Sequence, residues 1–364
     1  PTPSVTPTAA TPAPTATPGA EICDDCIDND DNGDVDREDV ACAARADGGG
    51  AGIDVPGEGK AVYGCQQALG RAGKSFAAAR LKALQGCVLS SFTCVQDEAP
   101  LECFPEAGAR CATKLAKLDG LRTKLAATIA KKCGTLGATR LREPAGLGFD
   151  AEAAACAASG VASLDDAAAV TACVTARHAC IVDRLVGDTI PRARELLALI
   201  GRDPDVHAPC LPATAGTGAA GNDDLVSCLE SFGKAGARFL QTRTNLRQRC
   251  AEAATRCVQI KPDDDACLEK ARATCAKLAD RASNAQAEFA AAVDKRCPAS
   301  ALTALLDASG FALGERTATC DALGIPLTSV GAVAECVGRV QSCRVDQVVE
   351  SRTPRLEELL GLID

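Results

Sequence analysis

The chain has 364 residues, with 22 Cys, no Met, no Trp, one Tyr and two His, and a formal charge of −9. So large and even a cysteine count points to an oxidising compartment, where thiols become cross-links, and argues against the cytosol. The charge is local: residues 21–40, "EICDDCIDNDDNGDVDREDV", set ten acids against Arg37, while the remaining 38 acids and 38 bases cancel, so no basic face is large enough to suggest nucleic acid.

Residues 1–20 are uncharged and consist of Pro, Thr, Ser, Ala, Val and Gly. This composition gives a polyproline-II spacer or an O-glycosylated stalk, with Thr2, Ser4, Thr6, Thr8, Thr11, Thr15 and Thr17 as candidate acceptors. No signal peptide, initiator Met or apolar run of membrane-spanning length is present. The expected form is a processed mature protein, secreted, extracellular or held at the cell surface, with no membrane span.

Segment 21–45 reads as a calcium loop. Asp28, Asp30, Asn32, Asp34, Asp36 and Asp39 fall at relative positions 1, 3, 5, 7, 9 and 12, with Gly33 at position 6 and Val35 at 8. A calcium ion takes six to eight oxygens, and ligands at 1, 3 and 5 converge only if the chain turns sharply at 6, where glycine accepts a positive φ. Asp39 stands where an EF-hand has a bidentate Glu, as in dockerin-type loops. The spacing favours this site over a solvated acidic linker. "EICDDCIDNDDNGDVDREDVAC" also resembles the Asp-rich, Cys-bracketed metal-binding motif of many predicted secreted bacterial proteins. Positions 65–201 are similar to the uncharacterised Ala- and Cys-rich helical repeats of such proteins, through "CQQALGRAGKSFAAARLKALQGC" and a later "GLGF" before a Cys. The resemblance implies metal binding and a secreted location, and it carries no activity.

Residues 46–59, "ADGGGAGIDVPGEG", are expected to form a Gly-rich hinge leading to two tandem repeats, at 60–201 and 222–364, joined by a linker at 202–221. Cys65, 87, 94, 103, 111, 133, 156, 173 and 180 recur as Cys228, 250, 257, 267, 275, 297, 320, 336 and 343, at intervals that differ by one residue at two places. Phe76 matches Phe239, Gly146 matches Gly310, and "PRARELLALIG" matches "PRLEELLGLID".

The predicted fold is all-α. Val62, Cys65, Leu69, Phe76 and Cys87 keep helical spacing, as do Cys111, Leu115, Leu118, Leu125, Ile129 and Cys133, across a turn rich in Asp, Glu and Pro. In an antiparallel hairpin, facing residues have position numbers with a constant sum. That rule pairs Cys65 with Cys133, Cys87 with Cys111 and Cys94 with Cys103, and in the second repeat Cys228 with Cys297, Cys250 with Cys275 and Cys257 with Cys267. Ala-rich faces let the helices approach within disulfide range. With few aromatics, the expected core is Leu, Ala, Val and cystine.

Each hairpin is followed by Gly146 or Gly310, by Cys156 or Cys320, by a helix carrying Cys173 and Cys180 or Cys336 and Cys343, and by a short Leu-rich helix beginning at a Pro. Each tail trio is expected to hold one internal bond and one bond to a preceding segment, Cys42 or Cys210. This leaves Cys23 to pair with Cys26, with a Cys23 to Cys42 bracket as the alternative.

Chemistry is otherwise sparse. "GRAGKS" at 70–75 lacks the first Gly of a phosphate loop and lies within a helix. "CDDC" is not followed by His, so it does not match haem attachment. His178 reads as a structural histidine and His207 as a surface residue of the linker. The cysteine intervals do not suit zinc. Helix 114–132 is basic, and its counterpart is mixed in charge, so a solvated face is expected unless the repeats have diverged. No catalytic constellation appears outside the calcium loop, and an enzyme is not expected. The favoured reading is a self-associating secreted structural protein, the subunit of a filament or coat, whose amino-terminal arm is either a docking element for a neighbouring subunit or a passive glycosylated spacer. The alternative is a binding module for a small ligand or glycan in the cleft between repeats.

Overall fold

A computed structural model describes residues 26, 50–53, 55, 57–96, 100–214, 216–219, 223–262 and 264–363. Among these residues the secondary structure is helical, with thirteen α-helices and no strand. The first repeat comprises α1 (Glu58–Gln96), α2 (Pro100–Cys133), α3 (Ala138–Arg142), α4 (Ala153–Ala158), α5 (Ala167–Thr189) and α6 (Ala193–Leu199). A single turn, α7 (Pro204–His207), lies in the connection. The second repeat follows the same order with α8 (Asp223–Ile260), α9 (Asp265–Arg296), α10 (Leu302–Leu306), α11 (Thr317–Ala322), α12 (Val330–Glu350) and α13 (Leu356–Gly361).

Local chemistry recurs with the order. Pro100 opens α2, where the missing N–H is no loss and φ is already helical. The Asp166 side chain caps α5 by accepting from the Ala169 N–H, and Ser329 caps α12 by accepting from Ala332. The long hairpins are laddered by disulfides: Cys65–Cys133, Cys87–Cys111 and Cys94–Cys103 join α1 to α2, and Cys228–Cys297, Cys250–Cys275 and Cys257–Cys267 join α8 to α9. These are the pairs that the constant-sum rule selects. The helices run further than their apolar spacing suggested, so even Cys94 and Cys103 lie in helix.

Four helices form the centre, with α1 packed on α8 and α5 on α12, while α2 lies against α1 and α5 and α9 lies against α8 and α12. One apolar cluster runs through both repeats. Phenylalanines concentrate at the junction: Phe92 of the first repeat meets Phe311 of the second edge-on at 5.3 Å between centroids, and Phe232 meets Phe311 at 6.0 Å. Aromatic poverty in the composition therefore understated these rings, since seven of the eight Phe are fully buried. The "GRAGKS" glycines sit inside α1, as expected. A Cβ on Gly73 would lie 2.6 Å from His178 Cε1, so this glycine serves helix approach and not phosphate binding.

Candidate functional site: two exchanged straps

The segments preceding each repeat are the most specific feature of the molecule, because each is held by the other repeat. Arg355, from the second "PR" motif, donates from Nη1 to the carbonyls of Ala145 (3.0 Å) and Gly146 (3.3 Å) in the first repeat. Its Nη2 donates to Ala51 at 2.9 Å in the segment before α1, and Glu358 binds its Nε and Nη2. Glu358 in turn accepts from Gly50 N–H at 3.0 Å. Gln259, at the end of α8, completes the clamp by donating to Ala145 O at 2.7 Å and accepting from Ile53 N–H at 3.2 Å.

The same contacts recur with the repeats interchanged. Arg192 donates to the carbonyls of Ser309 (2.6 Å) and Gly310 (3.1 Å) in the second repeat and to Gly218 (3.2 Å) in the segment before α8. Glu195 binds Arg192 through Nε and Nη2, both at 2.9 Å, and accepts from Gly216 N–H. Gln96, the counterpart of Gln259, donates to Ser309 O at 3.3 Å. Both arginines spend all five N–H groups on these acceptors, so neither is left to bind a ligand. A carboxylate fork plus carbonyls suits guanidinium geometry and would not suit lysine.

Disulfides follow the exchange. Cys156–Cys173 and Cys320–Cys336 close within the tail trios. The third cysteines differ from expectation: Cys180 joins Cys210, which lies before the second repeat, and Cys343 joins Cys26, far upstream of the first. Each therefore reaches the segment preceding the other repeat and not its own, and the Cys23 to Cys26 option is ruled out. The reason is packing of α5 on α12, which brings each tail beside the opposite strap. The part of 46–59 that the structure describes is likewise a strap pinned to the second repeat, not a free hinge. Cys23, Cys42, the arm hydroxyls Thr2, Ser4, Thr6, Thr8, Thr11, Thr15 and Thr17, and the loop residues Asp28, Asp30, Asn32, Asp34, Asp36 and Asp39 lie outside the described residues. The chain on either side of that loop is fixed, by Cys26–Cys343 on α12 and by Gly50 on Glu358.

Buried charge fills the space behind the straps. Arg80 and Asp183 pair between α1 and α5, with nitrogen–oxygen distances of 2.6 and 2.8 Å, and Arg80 also donates to His207 O at 2.8 Å in the connecting strap. Burial pushes Asp183 up to about 6 despite Arg80. Their counterparts are Arg243 and Asp346, joined by Arg247. Burial would raise Asp346, but the Arg247 and Arg243 guanidiniums outweigh it and hold the carboxyl below its usual range. His178 is fully buried, with Nε2 3.1 Å from Val348 O on α12. Burial foremost, then Arg352, pushes it down to about 3, so it is a neutral packing group and no general base at ordinary pH. The His207 ring is half-buried, and it is the residue's carbonyl that the structure uses.

Among the described residues no group of three or more His, Cys, Asp or Glu side chains could hold a metal, and no helix is long and apolar enough to cross a membrane. Comparisons with protein-family models, curated proteins and solved structures give no match. The clamp residues escaped the sequence reading, although their signal was present: "PRARE" and "PRLEE" recur at an offset of 163, as do Gln96 and Gln259, and Gly146 and Gly310 at 164.

Proposed function

We propose that the protein is an extracellular structural component in which a calcium-loaded acidic segment is bolted onto a disulfide-locked helical body and mediates self-association into a filament or coat. The observation that carries this reading is the exchange of straps, closed by Cys26–Cys343 and Cys180–Cys210. Ten disulfides among the described residues belong to a chain that matures in an oxidising compartment. The fixed flanks give the loop 28–39 a short tether, which lowers the entropy lost when carboxylates converge on an ion. Residues 1–20 would span about 60 Å if they took the polyproline-II form their composition favours, and glycans on the Thr and Ser hydroxyls would stiffen such an arm further. The alternative of a ligand in the cleft between repeats has less support, because Phe92, Phe232 and Phe311 fill that junction. A cavity of about 250 Å³ lies instead on the second repeat, lined in part by Ser227, Lys234, Arg238 and Arg296.

Calorimetry on the intact protein should detect about one calcium site, lost when Asp28→Ala and Asp30→Ala are combined. Light scattering should show larger particles in calcium and smaller ones after chelation, with helical circular dichroism unchanged. A protein that stays monomeric at high concentration in calcium would refute the assembly reading. Removing residues 1–42 outright is a poorer test, since it strands Cys343 without its partner.

A further inference from the structure

The two flanking helices occupy equivalent places but present different surfaces. On α2, Lys117, Lys124 and Lys131 are exposed and spaced by seven residues, a row of charges about 10 Å apart along one face. Gly120 and Ala127 lie between them and leave the row open. None of the three lysines has an ion-pair partner among the described residues, whereas Arg110 and Arg122 are tied to Glu106 and Asp119. From Lys117 to Lys132 the helix carries five bases and one acid.

On α9 the acids intervene. Glu288 stands where α2 has Lys124, and Asp280 and Asp294 stand where it has Ala116 and Ala130, all of them exposed. The divergence extends to the whole repeats: residues 60–201 hold 18 bases against 13 acids, and residues 222–364 hold 18 against 20. The acidic segment, ten carboxylates against one base in residues 21–40, is fixed to the second, more acidic repeat at Cys26 and again at Gly50. Its own α2 packs against α1 and α5, whereas the segment is tied to Cys343 of α12 and Glu358 of α13. One molecule thus carries a basic row on one repeat and a strongly acidic segment on the other.

From this arrangement we infer that the Lys117–Lys124–Lys131 row of α2 is the docking surface for the acidic segment of a second copy of the chain. The contact rests on the self-association proposed above and names its two faces. Where the contact is not reciprocated by the same two copies it is heterologous, and it builds a ring if the rotation closes and an open filament if it does not. Calcium leaves the segment well on the acidic side, because a divalent ion offsets only two of its nine excess negative charges. The attraction is between exposed groups and falls with salt, since the Debye length shrinks from about 10 Å at 0.1 M to about 3 Å at 1 M.

Sedimentation velocity of the full chain in calcium tests this directly. Wild type should associate at low salt and dissociate near 1 M. Combining Lys117→Glu, Lys124→Glu and Lys131→Glu should weaken association by about tenfold or more, while Arg281→Glu with Lys295→Glu on α9 should not. Circular dichroism verifies that the variants remain helical. A synthetic peptide of residues 21–40 in calcium should compete with association of the wild type and should fail to bind the triple variant. If wild type associates and the triple variant associates equally, self-association stands and this surface is wrong. If wild type never associates, the self-association reading itself fails. Retention of a monomeric wild type on a sulfated polysaccharide, lost in the triple variant, would assign the row to a polyanion and overturn the inference.

Discussion

The two repeats agree at the clamps that join them and differ at the α5–α12 crossing and on the exposed faces of α2 and α9. Arg192 and Arg355 make the same bonds to equivalent carbonyls, and Arg80–Asp183 and Arg243–Asp346 occupy equivalent places. Against this, the buried pair at the α5–α12 crossing is His178 with Arg352 on one side, while on the other Gln341 donates to Thr189 Oγ1 at 2.9 Å. Gly148 adopts φ +77°, and its counterpart Ala312 holds φ +59°. The junction thus demands pairs of residues in step, since an arginine and the carbonyls it binds belong to different repeats.

The largest test of that symmetry is loss of a clamp. Arg355→Met removes the cation from the largely buried Glu358 carboxylate, leaving it only the Gly50 N–H, and strands the carbonyl of Gly146, a cost of about 3–5 kcal/mol by chemical denaturation. Arg192→Met should cost nearly as much, and a difference above about 2 kcal/mol between the two would break the equivalence.

Acid should then separate the two ion pairs. Asp183 titrates in the folded protein near 6, above its unfolded value of about 4. The native state therefore binds a proton that the unfolded chain does not, and the penalty of burying this charge, present above pH 6, is relieved as pH falls toward 4. The cost of Asp183→Asn should accordingly grow by about 2 kcal/mol between pH 7 and pH 4.5. Asp346 is depressed, so its contribution is full above about pH 4 and lost only below it. The cost of Asp346→Asn should stay level over the same window. Parallel pH profiles for the two variants would contradict this.

The smallest effects lie at the left-handed turn. Gly148→Ala should destabilise by about 1–2 kcal/mol, because its φ is positive and a Cβ would meet Arg355 Cγ at 2.8 Å. Ala312→Gly should stabilise by up to about 1 kcal/mol, and thermal denaturation resolves both.

The hairpins were legible because their information is one-dimensional: a helix of known pitch folded back on itself fixes which cysteines face, and the twelve ladder cysteines follow from arithmetic. The straps were not, because spacing within each repeat says nothing about how two repeats sit in space. One cysteine of each tail trio could be assigned to a strap from the count, but which cysteine it is, and whether it takes the near or the far strap, depends on α5 crossing α12. Arg192 and Arg355 were visible as repeat landmarks, yet a landmark carries no partner. His178 was read as structural because a residue two places from Cys180 on a helix points away from it, but Arg352 beside it aligns with Thr189 in the first repeat, so the repeat pattern gave no sign of the arginine.

Non-reducing peptide mapping of the native protein tests the exchange most directly. The account predicts peptides joining Cys180 to Cys210 and Cys26 to Cys343, alongside the six rungs of the two ladders. Peptides joining Cys180 to Cys42 and Cys343 to Cys210 would show that each strap is held by its own repeat, and would contradict it.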